Sequence, residues 1–194
     1  MNDFRRDDVG QREVRDAVLV PFLYKKISMD GRFVCCDKGR FADLLQRRSD
    51  VDTIVERDDG IVAVEEKIVR WNNKAYTALA LETDSCTVEG HESPGWMYYC
   101  EADKLLWAMC QVDGTVNYHV FDFPKLQKVF WEKMVEDPGY FYAHREKHRN
   151  RTECRLVDIS WIESVGVDHV EGAIDPGEPG RSIVKKYNEA KRAA

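Results

Sequence analysis

No stretch of this chain stays apolar for the roughly 20 residues that a bilayer-spanning helix needs, so no membrane-crossing helix is expected. The opening residues, MNDFRRDDVGQREVRD, lack the apolar segment of a secretory signal. A cytoplasmic location and no membrane partner are therefore expected. The six cysteines, Cys35, Cys36, Cys86, Cys100, Cys110 and Cys154, contain no CxxC pair. Scattered cysteines without an export signal point to reduced thiols. Cys35 and Cys36 are adjacent, so on a strand they would face opposite ways, a poor geometry for sharing a metal. GxSxG, Walker-type and HExxH motifs are missing as well, and with them the usual signatures of serine-hydrolase, P-loop and zincin chemistry. A basic excess is also lacking: 29 Lys and Arg stand against 35 Asp and Glu, a net charge of −6. Nucleic-acid binders are usually basic, so weak binding to bulk DNA is expected unless divalent metal is present.

What is present suffices for one buried core. At 194 residues, with 43% hydrophobic and 33% charged, the chain fits a single globular domain with a short appendage. Residues 8–26 carry a helical stripe through Val14, Ala17, Val18 and Phe22. Pro21 should kink or end that helix. Residues 31–36 read as a short strand. Residues 76–85 (YTALALETDS) read as a third strand after the hairpin described below, and 91–96 (HESPGW) as a loop. Residues 101–110 (EADKLLWAMC) read as a short helix and 115–123 as a strand. Residues 124–136 read as a helix with Pro124 at its first position. Residues 154–162 read as the final strand. From about Gly166 large apolar residues are few, which predicts an extended tail over 166–194 with a short helix near its end, and a main domain over 1–165. The resulting class is α/β, a central mixed β-sheet flanked by helices.

The clearest local signal is a hairpin from Val51 to Val69. VDTIVE and IVAVEEKIV are strand patterns, and RDDG between them is a turn, with Asp59-Gly60 a preferred hairpin dipeptide. Glu65 and Lys67, two apart on a strand, share a face, and Glu66 points the other way. A turn centred on Asp59-Gly60 sets Asp52 opposite Lys67 and diagonal to Glu65. A turn on Asp58-Asp59 sets it directly opposite Glu65. Either register predicts Asp52, Glu65 and Lys67 on one face, whereas a three-residue turn would break the set. Two carboxylates suit a hard cation such as Mg²⁺ or Mn²⁺ with waters and phosphate oxygens completing the shell. A lysine beside a metal-activated water can orient it or stabilise developing charge. The bland alternative is a solvated face with a weak Glu–Lys pair.

Asp52 on one strand and Glu65-Glu66-Lys67 on the next resemble the PD-(D/E)xK nuclease superfamily, with Val51 in place of that family's proline. The wider order also resembles small phage and prophage members: Glu65-Glu66-Lys67, then Tyr76 to Glu82, then Pro94-Gly95-Trp96, then Ala102-Asp103. The resemblance spans about Glu13 to Ile162. It implies a restriction-endonuclease-like core and metal-dependent cleavage of a phosphodiester, with DNA as the expected substrate. By position it also implies Glu13 as the helix glutamate. Asp52 and Glu65 would then hold Mg²⁺ (or Mn²⁺), and Lys67 would position the attacking water.

Other residues carry two readings. Glu82 either faces the metal site or marks a strand leaving the core. Glu66 either pairs with a basic residue or, if the register slips by one, is itself the ligand. Trp96, Tyr98 and Tyr99 either stack bases or pack, and packing is the commoner role. Trp71 with Lys74 either touches a nucleic-acid backbone or does not. The run YAHREKHRNR holds His144, Arg145, Lys147, His148, Arg149 and Arg151; Arg145, Lys147, Arg149 and Arg151 are its candidate phosphate contacts. Such a run is otherwise a solvated loop. His91 and His119 read as isolated. A homodimer would give two sites for a double-strand cut, and a monomer would suit nicking or end processing. The rival to an enzyme is an inactive nuclease-fold module, encoded by a phage or mobile element, that binds nucleic acid or a host protein.

Overall fold

The computed structural model describes residues 12–27, 29, 31–35, 51–69, 77–86, 93–145 and 152–192. The chain opens on helix α1 (Arg15–Tyr24), then β1 (Arg32–Cys35), β2 (Thr53–Arg57), β3 (Gly60–Val69), β4 (Ala78–Cys86) and β5 (Ser93–Pro94). Helix α2 (Trp96–Tyr99) leads to β6 (Lys104–Cys110), β7 (Val116–Asp122) and helix α3 (Phe123–Glu136). Then come β8 (Tyr142–Arg145), β9 (Glu153–Asp158), α4 (Ile159–Ser164), β10 (His169–Ile174) and α5 (Glu178–Arg192). A six-stranded sheet runs in the order β1-β2-β3-β6-β7-β10, and a four-stranded sheet in the order β5-β4-β9-β8. In the larger sheet β3 and β6 are parallel and the other pairs antiparallel, so the sheet is mixed. Helices flank it.

Each face of the large sheet has its own core. On one face Val55, Val64, Leu106, Ala108, Tyr118 and Val120 meet Val14, Val18, Leu19 and Leu23 of the N-terminal helix and Ile183 of α5. On the other face Leu105, Trp107, Met109 and Phe121 meet Leu126 and Phe130 of α3, Ile162 of α4, and Leu79, Leu81 and Val157 of the smaller sheet. The β3–β6 pair is therefore covered on both sides, as parallel pairs usually are.

Several expectations are corrected. Residues 104–110 are strand β6, not a helix, because this continuous apolar run is buried on both faces at the centre of the sheet. A short apolar run carries no periodicity to separate the two. Residues 166–194 are not an extended tail: β10 pairs with β7 over six residues, and α5 buries Ile183 and Val184. The N-terminal helix runs through Pro21 to Tyr24 as a π-helix, whose wider winding relieves the clash and tolerates the missing donor. Residues 91–96 are not wholly loop, since Ser93–Pro94 pairs with β4 and α2 begins at Trp96. Gly95 N–H donates to Thr83 O at 2.8 Å, and a β-carbon at Gly95 would run into the Glu82 carbonyl, so α2 is seated directly on β4. β4 itself lies in the smaller sheet rather than beside the hairpin, and β9 hands over to α4 at Ile159. No helix among the described residues is long and apolar enough to cross a membrane.

Candidate functional site

The β2–β3 hairpin turns on Asp58-Asp59, with Arg57 paired to Gly60. Of the two registers the sequence left open, this is the one that brings Asp52 beside Glu65. The paired ladder runs out at Thr53↔Val64, and Asp52 N–H donates to Val64 O at 3.1 Å. Beyond the ladder, alternation no longer controls direction. Val51 enters the core on the Glu65 side of the sheet. Asp52 turns its carboxylate to the main chain of β3, where Oδ2 accepts from Glu66 N–H at 2.9 Å and Oδ1 lies 3.7 Å from Arg15 Nη2. The expected three-residue face is thus corrected: Glu65 and Lys67 share it, and Asp52 sits at the strand end with its carboxylate engaged toward Arg15 and the Glu66 amide.

Glu65 and Lys67 form an ion pair. Glu65 is buried while the Lys67 side chain keeps 28% of its surface. The Lys67 ammonium lies 4.5 Å from the centroid of the buried Trp96 ring, an attraction between cation and ring face. Both contacts hold the ammonium near the strand.

On the opposite face Glu66 takes the first of its two readings. Its carboxylate accepts from Arg15 Nε and Tyr24 Oη at 2.5 Å and from Thr53 Oγ1 at 2.7 Å. Burial raises its pKa and the Arg15 guanidinium works against that shift. The Tyr24 hydroxyl is held well above its ordinary pKa, by burial first and then by the Glu66 charge, so it stays a donor. Glu66 is a buried anchor of the hairpin to α1.

The remaining candidates are spread out. Glu13 is exposed; the residue of the N-terminal helix that reaches Asp52 is Arg15, two positions on. Glu82 lies in the smaller sheet, and its carboxylate accepts from Ser85 Oγ. Arg145 on β8 is paired with Glu153, which also binds Arg155. Lys147, Arg149 and Arg151 lie outside the described residues, as do Trp71, Lys74, Tyr76, His91 and His148. Trp96 is core, and Tyr98 packs on Trp131 with ring centroids 4.2 Å apart.

The sequence reading missed Arg15, Tyr24 and Thr53 as partners of Glu66, since nothing in their spacing marks them. It also read His119 as isolated, whereas His169 of β10 stands beside it. Cross-strand registers set Lys67, Trp107, His119 and Glu171 in one row across the sheet. The Trp107 indole N–H in that row is buried with no hydrogen-bond partner among the described residues. No protein-family model matches this chain, and no match was found among curated proteins or solved structures.

Proposed function

We propose that this protein hydrolyses phosphodiester bonds of nucleic acid, DNA in the first instance, at a Mg²⁺- or Mn²⁺-dependent PD-(D/E)xK-type site in a restriction-endonuclease-like core. The observation that supports the reading is the hairpin, whose turn on Asp58-Asp59 leaves Asp52 at the end of β2 against β3, its carboxylate on the amide of Glu66, between Glu65 and Lys67 in the chain. The strand order supports it: an N-terminal helix, three antiparallel strands, then a strand parallel to the third.

The donor set suits a hard cation, since Asp52 and Glu65 offer carboxylate oxygens and nothing softer. The Asp52 side chain retains 19% of its surface, so phosphate oxygens and water have an approach. When bound there, a divalent ion supplies Lewis acidity to a phosphoryl oxygen and lowers the pKa of a bound water. The protein's own groups do the rest. Glu65 and Trp96 fix the Lys67 ammonium, which orients the attacking water and stabilises charge that grows on the phosphate. Arg15 holds Glu66, and the Glu66 amide holds Asp52.

One observation favours the rival reading. Arg15 already places a cation 3.7 Å from Asp52, which offsets the charge a metal would neutralise. In an inactive binding module that arrangement would be permanent. Mn²⁺ titration followed by electron paramagnetic resonance separates the two. The nuclease reading expects binding that weakens by about tenfold or more in Asp52→Ala with an unaltered circular dichroism spectrum. Equal binding in wild type and variant contradicts it.

A further inference from the structure

Two imidazoles and a carboxylate converge at the β7–β10 edge of the same sheet, on the face that carries Lys67. His119 lies on β7, and His169 and Glu171 lie two apart on β10, so all three share a face. Register pairs His119 with Glu171 and His169 with Phe121. His119 Nδ1 and His169 Nε2 stand 2.9 Å apart, and His119 Nδ1 is 3.5 Å from Glu171 Oε2. One ligand atom from each of the three residues falls within 4.8 Å of the others.

We propose that His119, His169 and Glu171 bind one divalent transition-metal ion, of which Zn²⁺ is the best-matched case. Bonds of about 2.0–2.1 Å in a tetrahedral shell put neighbouring ligand atoms about 3.3 Å apart. Two of the three separations, 2.9 and 3.5 Å, bracket that spacing, and the third is no more than 4.8 Å. The donor set is imidazole-rich, which suits Zn²⁺ and its neighbours rather than Mg²⁺. This site is therefore chemically distinct from the all-carboxylate pair at the hairpin and does not depend on that reading.

The rings are also held in place. His169 stacks on Phe121 at 4.8 Å with planes 9° apart, and the two imidazoles lie 17° from parallel. Glu163 of α4 sits 3.3 Å from His169 Nδ1, the ring nitrogen that does not face His119. The Glu163 charge at that distance favours the proton on Nδ1, which leaves the Nε2 lone pair for the metal. Glu163 is thus a positioning residue. The Glu171 side chain keeps 64% of its surface, so it supplies the entry path and can swing to the ion, while the two histidine side chains are largely buried. Three protein ligands leave a fourth position to water or an anion. With ligands on both strands, the ion also clips β10 to β7.

The test uses the full chain, stripped of metal, titrated with ZnCl₂ by calorimetry and with Co²⁺ followed by visible absorption. One equivalent of Zn²⁺ is expected, with tetrahedral Co²⁺ bands and a melting temperature that rises with Zn²⁺. His169→Ala and His119→Ala are expected to weaken Zn²⁺ binding by about a hundredfold or more, and the exposed Glu171→Gln by about tenfold or more. Glu163→Gln is expected to weaken it by about ten- to a hundredfold while keeping the Co²⁺ band positions. Absence of Zn²⁺ binding up to about 1 mM would overturn the proposal. So would binding unchanged in both Glu171→Gln and a histidine variant, which would assign the ion to other groups such as the cysteine thiols. Should the histidine variants fail to fold, Glu171→Gln decides the outcome alone.

Discussion

A carboxylate enclosed by Arg15, Tyr24 and Thr53, as Glu66 is, has exchanged its water for three protein donors. Removing one member of such a buried set strands the others, at a cost of about 3–5 kcal/mol. Glu66→Leu is expected to lower stability by about that amount in urea unfolding. Glu66→Gln, which keeps an acceptor oxygen, should cost clearly less. Equal stability of Glu66→Leu and wild type would show that the anchor carries no weight. At the same scale the sequence reading separates into what spacing can and cannot reveal. Period-two alternation put Glu65 and Lys67 together and set Glu66 apart, and the structure agrees. The direction of Asp52 was not legible, because the ladder ends one residue after it and a main-chain amide takes its carboxylate. Arg15 and His169 lie 51 and 50 positions from the partners they meet, and local patterns say nothing about such pairs.

Elements were legible where composition and neighbours agreed. The helix over 123–136 has proline in its first turn, and the Asp122 side chain caps it by accepting from Lys125 N–H at 3.1 Å. β6 was illegible because Leu105, Leu106, Ala108 and Met109 are good helix formers, and burial on both faces overrides that preference. The β6–β7 turn yields two tests. Asp113 Oδ1 accepts from Thr115 Oγ1 at 2.7 Å and from Thr115 N–H at 2.9 Å, and these bonds, the hydroxyl first, lower its pKa. A carboxyl depressed on folding stabilises the protein above its unfolded pKa, about 3.9, and loses that contribution as pH falls through the lower folded value. The melting-temperature gap between wild type and Asp113→Ala should therefore be open at neutral pH and close in acid. A gap that does not change with pH would contradict the assignment. Next in the turn, Gly114 has φ +91°, and a β-carbon there would lie 2.7 Å from Arg181 N and 2.8 Å from Gly180 C in the first turn of α5. Backbone cannot yield as a side chain can. Gly114→Ala should destabilise by at least about 2 kcal/mol, combining left-handed strain with overpacking. A loss below about 0.5 kcal/mol in urea unfolding would contradict that close approach.

The described residues centre on a large mixed sheet with a core on each face and a smaller four-stranded sheet packed on one of them, and the last two elements are part of that design. β10 covers the edge of β7, and Ile174, Ile183 and Val184 are buried. A chain ending at Val165 should lose cooperative thermal unfolding, whereas an unchanged melt would restore the reading of 166–194 as an appendage. The acidic net charge of −6 weighs against broad attraction to nucleic acid, so the proposed nuclease would need divalent metal for its grip. The most direct test is cleavage of labelled DNA and RNA, duplex, single-stranded and branched, with Mg²⁺ or Mn²⁺, by wild type beside Glu65→Ala and Lys67→Ala. A metal-dependent activity reduced by about a hundredfold or more in both variants is the expected result. Folded wild-type protein that cuts none of these substrates, or cutting that both variants retain, would contradict a catalytic site on the hairpin.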